Sequence, residues 1–321
     1  MTVFRGFAER DLPAGLGLRR GKVRDVIDLG DRLVITATDR ISAFDRVLAA
    51  VPHKGEVLNR LSLFWFAESS DIIRNHILAE LTPRTVVAAK CEVLPVEVVI
   101  RGYLAGSAWR DYEKGRPVSG LRLPAGLRRY ERLAEPIVTP STKAGEGAHD
   151  EPVSAEELVG RGLVEAELWR RVERTARALF ERGSSIAARN GLILVDTKYE
   201  FGLLDGQLML VDEVHTPDSS RYWHAEGYRE ALAAGGDPRE LDKEYFRRWL
   251  LERGWSGEGE PPAIPEELLE ETGRRYREIY ALVSGEAFEA KAADAKSETA
   301  ALLSYINDGG VHKNWAAKAR A

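Results

Sequence analysis

Residues 191–213, GLILVDTKYEFGLLDGQLMLVDE, carry the strongest structural pattern in the chain. Odd positions Ile193, Val195, Tyr199, Phe201, Leu203, Met209 and Val211 are apolar, whereas the even ones include Asp196, Lys198, Glu200 and Asp212. A period of two describes a strand pair with one core face. Asp205-Gly206 marks the turn. A two-residue turn would pair Leu204 with Gln207 and leave Asp212 across from Tyr199, on the apolar face. A three-residue loop with Gly206 left-handed pairs Leu203 with Gln207 and puts both apolar sets on one face, so this is the expected register. Asp212 then lies opposite Lys198, with Asp196 and Glu200 as diagonal neighbours at roughly 7–8 Å between backbones. Carboxylates so close repel unless a cation intervenes, and two of them with phosphate oxygens suit Mg²⁺. The alternation alone is what any half-buried sheet shows, and it also fits the wet face of an amphipathic hairpin neutralised by Lys198.

Working outward, a long helix precedes the hairpin: Leu168, Val172, Ala176, Leu179 and Ala187 form one stripe, and Ser154 with Glu157 fits a capping box before it. From Glu113 to His149 the pattern dissolves into Gly, Pro and charge, which reads as a long functional loop. Nearer the N-terminus, Arg24–Leu29 and Leu33–Thr38 form a hairpin about Gly30-Asp31. Glu56 to Ser70 reads as a buried helix, and Thr85–Glu92 and Val96–Arg101 as strands broken at Pro95. The C-terminal third is helical, with Pro265 suited to a first turn and Gly285 to a stop.

The 321 residues suggest about two domains. One cysteine, Cys91, excludes an internal disulfide. Acidic and basic residues are interspersed at a net charge of −5, so no global field favours nucleic acid or anionic lipid, and an anionic substrate needs a local Lys/Arg cluster. Residues 1–20 are charged throughout and no run approaches the length of a bilayer span, so a cytoplasmic location is expected. Lys22 follows Gly21 at the entrance to a strand, where the backbone has room to approach a phosphate. Arg101, at a strand end, precedes Gly102, Gly106 and Ser107, which together could close around another. Polar loops at Asp39–Asp45 and Pro217–Arg221 follow other strands, although turns and caps use the same residues.

In order along residues 15–250, the blocks Gly21-Lys22-Val23-Arg24-Asp25, Asp39 to Asp45, Lys54-Gly55, Val99 to Tyr103 with Gly106-Ser107, Thr139 to Lys143 with His149-Asp150-Glu151, Val195 to Gly202, and Asp212-Glu213 with Pro217 to Arg221 resemble the signatures of the SAICAR synthetase family. That resemblance implies an α+β fold: an antiparallel, kinase small-lobe-like sheet unit over residues 1–95 that binds ATP phosphates, and a larger ATP-grasp-like α+β unit over 96–321. It implies an ATP-dependent ligase of purine biosynthesis, joining 4-carboxy-5-aminoimidazole ribotide to L-aspartate through an acyl phosphate to give SAICAR, ADP and phosphate, with Mg²⁺ as cofactor. By position, Lys22 and Arg24 would hold ATP phosphates, Lys90 and Val93 the adenine side, and Glu200 with Asp212 the Mg²⁺. Arg101, Ser107 and Arg221 would hold the ribotide phosphate. Asp39, Ser42, Lys143, Asp150 and Arg247 would meet the remaining substrate groups, and Asp196, Lys198 and Asp218 would be catalytic. A kinase-like phosphotransferase would share Lys22 and the metal pair but would not need aspartate. A nucleotide-sensing module would not need two metal carboxylates beside a lysine.

Overall fold

The computed structural model describes residues 3–143, 151–291 and 294–308. In chain order the first elements are β1 (Gly17–Arg20), β2 (Arg24–Asp28), β3 (Arg32–Ala37), β4 (Arg40–Ala43), β5 (Arg46–Ala50) and α1 (Lys54–Glu68). There follow β6 (Ile77–Thr82), β7 (Thr85–Ala89), β8 (Glu92–Tyr103), α2 (Gly106–Glu113), β9 (Arg132–Thr142), α3 (Ala155–Gly160) and α4 (Ala166–Arg189). The last are β10 (Leu192–Leu204), β11 (Gln207–Val211), β12 (Ser220–His224), α5 (Tyr228–Ala234), α6 (Glu244–Leu251), α7 (Glu266–Ser284) and α8 (Ala295–Asn307). Among the described residues no helix is long and apolar enough to cross a membrane.

The chain forms two compact units, one comprising Met1–Ala67, His76–Lys90 and Asp242–Ala321, the other Glu68–Asn75 and Cys91–Leu241. This division differs from a single cut after residue 95, because the C-terminal helices pack on the N-terminal sheet. In the first unit the antiparallel sheet runs β1-β2-β3-β7-β6. Period-two alternation puts Ile27, Val34, Val87 and Ala79 on one face, where Leu302 and Tyr305 of α8 cover them. The small sheet β4-β5 packs through Ile41 and Ala43 on Phe246 and Leu250 of α6 and Leu268 of α7. Pro265 and left-handed Gly285 bracket α7, as their backbone preferences predict. α1 needs glycine at its start, since a Cβ on Gly55 would lie 2.3 Å from the Ala37 carbonyl oxygen.

The second unit is built on the sheet β11-β10-β8-β9, with β12 also paired to β10. α4 buries Trp169, Val172, Ala176, Leu179, Phe180 and Ile186, while Leu168 is only half-buried. At about 1.5–3 kcal/mol for each large apolar side chain, that stripe outweighs intrinsic helix propensity as the reason the helix forms here. The capping box at Ser154 and Glu157 is present.

Three sequence expectations need correction. The hairpin pairs Leu204 with Gln207, so the turn is the two-residue one, with Asp205 (φ 51°) and Gly206 (φ 74°) both left-handed. The three-residue loop assumed one wet face, whereas Leu208, Met209, Leu210 and Val211 are all buried. The supposed long loop contains β9, whose Pro136 and Pro140 are tolerated because it lies at the sheet's edge. Finally, β8 is continuous through Pro95, which falls within a bulge of its pairing with β10 between Glu97 and Val93.

Candidate active site

β10 has two partners along one edge. β12 pairs with it from Leu192 to Thr197, and β11 from Glu200 to Leu204. Between them, residues 212–219 cross the exposed edge, and the Lys198 N–H donates to the Ser219 carbonyl at 2.9 Å. The gap therefore gathers side chains that a continuous ladder would separate.

Its centre is Lys198. The ammonium lies 2.5 Å from Glu200, 3.3 Å from Asp212 and 3.5 Å from Glu97. The pairing register alone would have turned Asp212 away. Asp212 instead leaves the strand in a left-handed conformation (φ 69°), which brings its carboxylate back to Lys198. Burial by itself would depress the Lys198 ammonium, but Glu200, Asp212, Glu97 and Glu213 hold its pKa well above the usual lysine value. Lys198 is thus a fixed cation. Lys143 makes a second ion pair to Glu200. Among the described residues no group of three or more His, Cys, Asp or Glu converges as a metal cage. Glu200 and Asp212, both drawn to the Lys198 ammonium, are the donor type that holds Mg²⁺ through one or two carboxylates, with phosphate and water completing its shell.

On the same sheet, at the C-terminal end of β8, Arg101 donates from Nε to Thr139 Oγ1 at 2.9 Å, from Nη1 to Asp196 at 3.3 Å and from Nη2 to Ser107 Oγ at 3.0 Å. Arg221 on β12 reaches the same Asp196 oxygen at 2.7 Å. A Cβ on Gly106 (φ 58°) would lie 2.5–2.8 Å from the Arg221 guanidinium, so glycine lets that group press against the start of α2. Ala105 caps α2 without any side-chain hydrogen bond. Burial draws the Arg101 guanidinium below its ordinary value; Asp196 opposes this, while Arg221 and Arg110 add to it. Two guanidiniums, a hydroxyl and a helix start around one shared carboxylate make a pocket suited to a dianion.

In the first unit the turn between β1 and β2 is closed by the Gly21 N–H on the Arg24 carbonyl at 2.8 Å. Arg40, buried and ion-paired to Asp25 at 2.8 Å, donates to the carbonyls of Gly21, Lys22 and Arg24, so one guanidinium sets the shape of this turn. Lys22 is half exposed and pairs with Asp45. Ser42 is buried on β4, and Arg247 lies over the Phe44 ring at 5.0 Å. Lys90 pairs with Asp28 at 2.6 Å, and Val93 is 45% exposed.

Asp39 does not match its expected place at a substrate. It is fully buried, and its carboxylate accepts from the N–H groups of Phe4 and Gly55 and from Arg84. An aspartate after a strand signals a polar loop in sequence, but here it organises the unit's interior. Asp150 lies outside the described residues. Asp218 sits in the segment crossing the β10 edge, where its N–H donates to Thr216 Oγ1 at 3.2 Å. Residue patterns missed Arg40, Thr139 and Glu97. The first two lie inside blocks already singled out, whereas Glu97 reads as an ordinary strand charge until β8 is aligned with β10.

The SAICAR synthetase family model matches residues 17–262. A phosphoribosylaminoimidazole-succinocarboxamide synthase of Legionella pneumophila (strain Lens) is 46% identical over 287 residues, spanning 87% of this chain and 91% of its own. One from Cytophaga hutchinsonii is 47% identical over 283 residues, with 87% and 91% covered. Among solved structures, the SAICAR-synthase from Saccharomyces cerevisiae complexed with SAICAR superposes with a TM-score of 0.76 at 33% identity, over 89% of this chain and all of that one. A type-2 SAICAR synthetase in complex with ADP superposes with a TM-score of 0.67 at 26% identity, over 85% of this chain and 100% of its own.

Proposed function

This chain belongs to the SAICAR synthetase family, and we propose that the carboxylates around Lys198 and the Arg101–Ser107–Arg221 pocket carry out its reaction. As a member of that family it is an ATP-dependent ligase of purine biosynthesis, joining 4-carboxy-5-aminoimidazole ribotide to L-aspartate with release of ADP and phosphate. A free carboxylate resists amines at neutral pH. Its oxygen therefore first takes the γ-phosphoryl group of ATP, and the aspartate amine then displaces phosphate from the acyl carbon, forming the amide and losing a proton. Phosphoryl transfer asks the protein for position and charge rather than for a nucleophile.

The observation that carries the site assignment is the approach of Glu200 and Asp212 to one ammonium, at 2.5 and 3.3 Å. In this reading both carboxylates bind Mg²⁺, which supplies neutralisation of phosphate charge. Lys198 stays protonated and holds the two carboxylates on one face, and Lys143 balances Glu200. Arg101, Ser107 and Arg221 take the ribotide phosphate, with Asp196 orienting both guanidiniums. Asp218 accepts the amine proton. Lys22 and Arg24 hold ATP phosphates on the turn shaped by Arg40, Lys90 and Val93 serve the adenine side, and Ser42 and Arg247 keep a substrate-binding role. Asp39 acts through the interior groups it binds.

The test measures ADP release with ribotide and Mg²⁺, with and without L-aspartate, in the wild type and in Glu200→Gln and Asp212→Asn. Turnover should require all components. Each amide variant should lose about a hundredfold or more, and the pair little more than either alone, because residues serving one ion act as a unit. Full-rate ADP release without aspartate alongside a stable phosphorylated ribotide would establish a kinase instead. Normal turnover in either variant would remove the metal assignment.

A further inference from the structure

Residues 212–219 hold two non-glycine residues with left-handed backbones, Asp212 (φ 69°) and His215 (φ 49°). Such conformations are strained and persist only where the surroundings impose them. Asp212 already has Lys198. What imposes the second lies on the far side of the segment from that cluster. The His215 ring is buried, shares a hydrogen bond through Nε2 with the hydroxyl of fully buried Tyr199, and lies with its centroid 5.3 Å from the Tyr199 ring. The Tyr222 hydroxyl donates to the His215 carbonyl at 2.7 Å.

Behind the imidazole is Gly183, inside the C-terminal half of α4. Glycine is a poor helix former compared with alanine, so its presence there calls for a reason. A Cβ at this position would lie 2.2 Å from His215 Cε1 and 2.6 Å from Nδ1. The helix is notched where the imidazole enters. Burial pushes His215 down to about 3, so the ring in this notch is neutral at physiological pH.

We propose that His215, seated in the Gly183 notch and hydrogen-bonded to Tyr199, is the positioning residue that fixes the backbone presenting Asp212 on one side and Asp218 to Arg221 on the other. His215 touches no substrate. It acts through the segment it pins, three residues after one proposed metal carboxylate and three before the proposed proton acceptor. The inference rests on the assignment of Asp212 to Mg²⁺.

The experiment uses the whole chain and reads binding by calorimetry: ADP with excess Mg²⁺, and ADP without metal. Tyr199→Phe removes a single oxygen and keeps the ring, so it isolates the hydrogen bond without threatening the fold. Tyr199→Phe and His215→Leu should each weaken Mg²⁺-dependent ADP binding about tenfold, roughly the worth of one buried hydrogen bond, while metal-free ADP binding stays within about twofold. The double variant should be no worse than His215→Leu. His215→Gln, which returns a polar atom toward Tyr199, should recover most of the loss. Asp212→Asn serves as the reference. If Asp212→Asn weakens Mg²⁺-dependent binding but Tyr199→Phe does not, the positioning role is overturned and the metal assignment stands. Equal loss with and without metal in Tyr199→Phe also overturns it, marking the pair as general support for the fold. If Asp212→Asn binds Mg²⁺ and ADP as the wild type does, the metal assignment fails and the inference with it.

Discussion

Lowering the pH from 8 to 4 is expected to remove a defined share of this protein's stability at His215. The folded ring titrates at about 3 because burial disfavours its charged form, whereas an imidazole in the unfolded chain titrates near 6.5. The folded pKa is the lower of the two, so the unfolded chain binds the extra proton in between. Stability present above pH 6.5 is therefore lost as the pH falls toward 3. At pH 4 the unfolded imidazole is almost wholly protonated and the folded one about a tenth, which amounts to about 3 kcal/mol relative to pH 8. Urea unfolding at several pH values, in the wild type and in His215→Gln, isolates this contribution, since the carboxylates common to both cancel in the difference. The wild type's stability relative to the variant should fall by about 3 kcal/mol from pH 8 to pH 4. A difference that moves by less than about 0.5 kcal/mol would refute the neutral buried imidazole.

Two further outcomes follow from the anion pocket and one from the sheet. Arg101→Lys keeps the charge but cannot reach Thr139, Asp196 and Ser107 together, so the ribotide KM should rise at least about tenfold with the ATP KM little changed; equal loss for both would mark Arg101 as structural. Gly106→Ala places a methyl group against the Arg221 guanidinium at a positive φ, and should raise the ribotide KM and lower stability by about 1 kcal/mol or more; an unchanged ribotide KM would show that Arg221 does not serve the ribotide. Gly55→Ala should be among the most destabilising single substitutions, about 3 kcal/mol or more in urea unfolding, because the clash is with the Ala37 backbone; a variant of near wild-type stability would show that α1 moves freely there.

The sequence announced elements whose cause is local. Alternation marked β10 and β11, Ser154 and Glu157 marked the start of α3, and Pro265 and Gly285 bracketed α7. It misled where the cause is non-local. β11 is buried on both faces, so its apolar residues say nothing about register. β9 hides among prolines because only its place at an edge makes them acceptable. The members of the anion pocket are legible as charged and hydroxyl residues after strands, but the sharing of Asp196 by Arg101 and Arg221 depends on β8 and β12 flanking β10. Asp212 reaches Lys198 through a backbone conformation rather than through the register that alternation suggested. Asp39 shows the converse: its residue type and position suggested a site, and burial gave it a different task.

The prolines of β9 bear on how the protein behaves in a crowded solution. An open sheet edge offers unpaired donors and acceptors to any passing strand, and so invites aggregation. Here Pro136 and Pro140 delete donors from the outer strand, and residues 151–153 lie along it, with the Val153 N–H on the Pro140 carbonyl and the Thr142 N–H on that of Glu151. At the opposite edge the Leu210 N–H is taken by the Arg74 carbonyl, and Asn75 bridges to Leu210. Among the described residues, the sheet that carries the Lys198 cluster is thus guarded against strand addition at both β9 and β11.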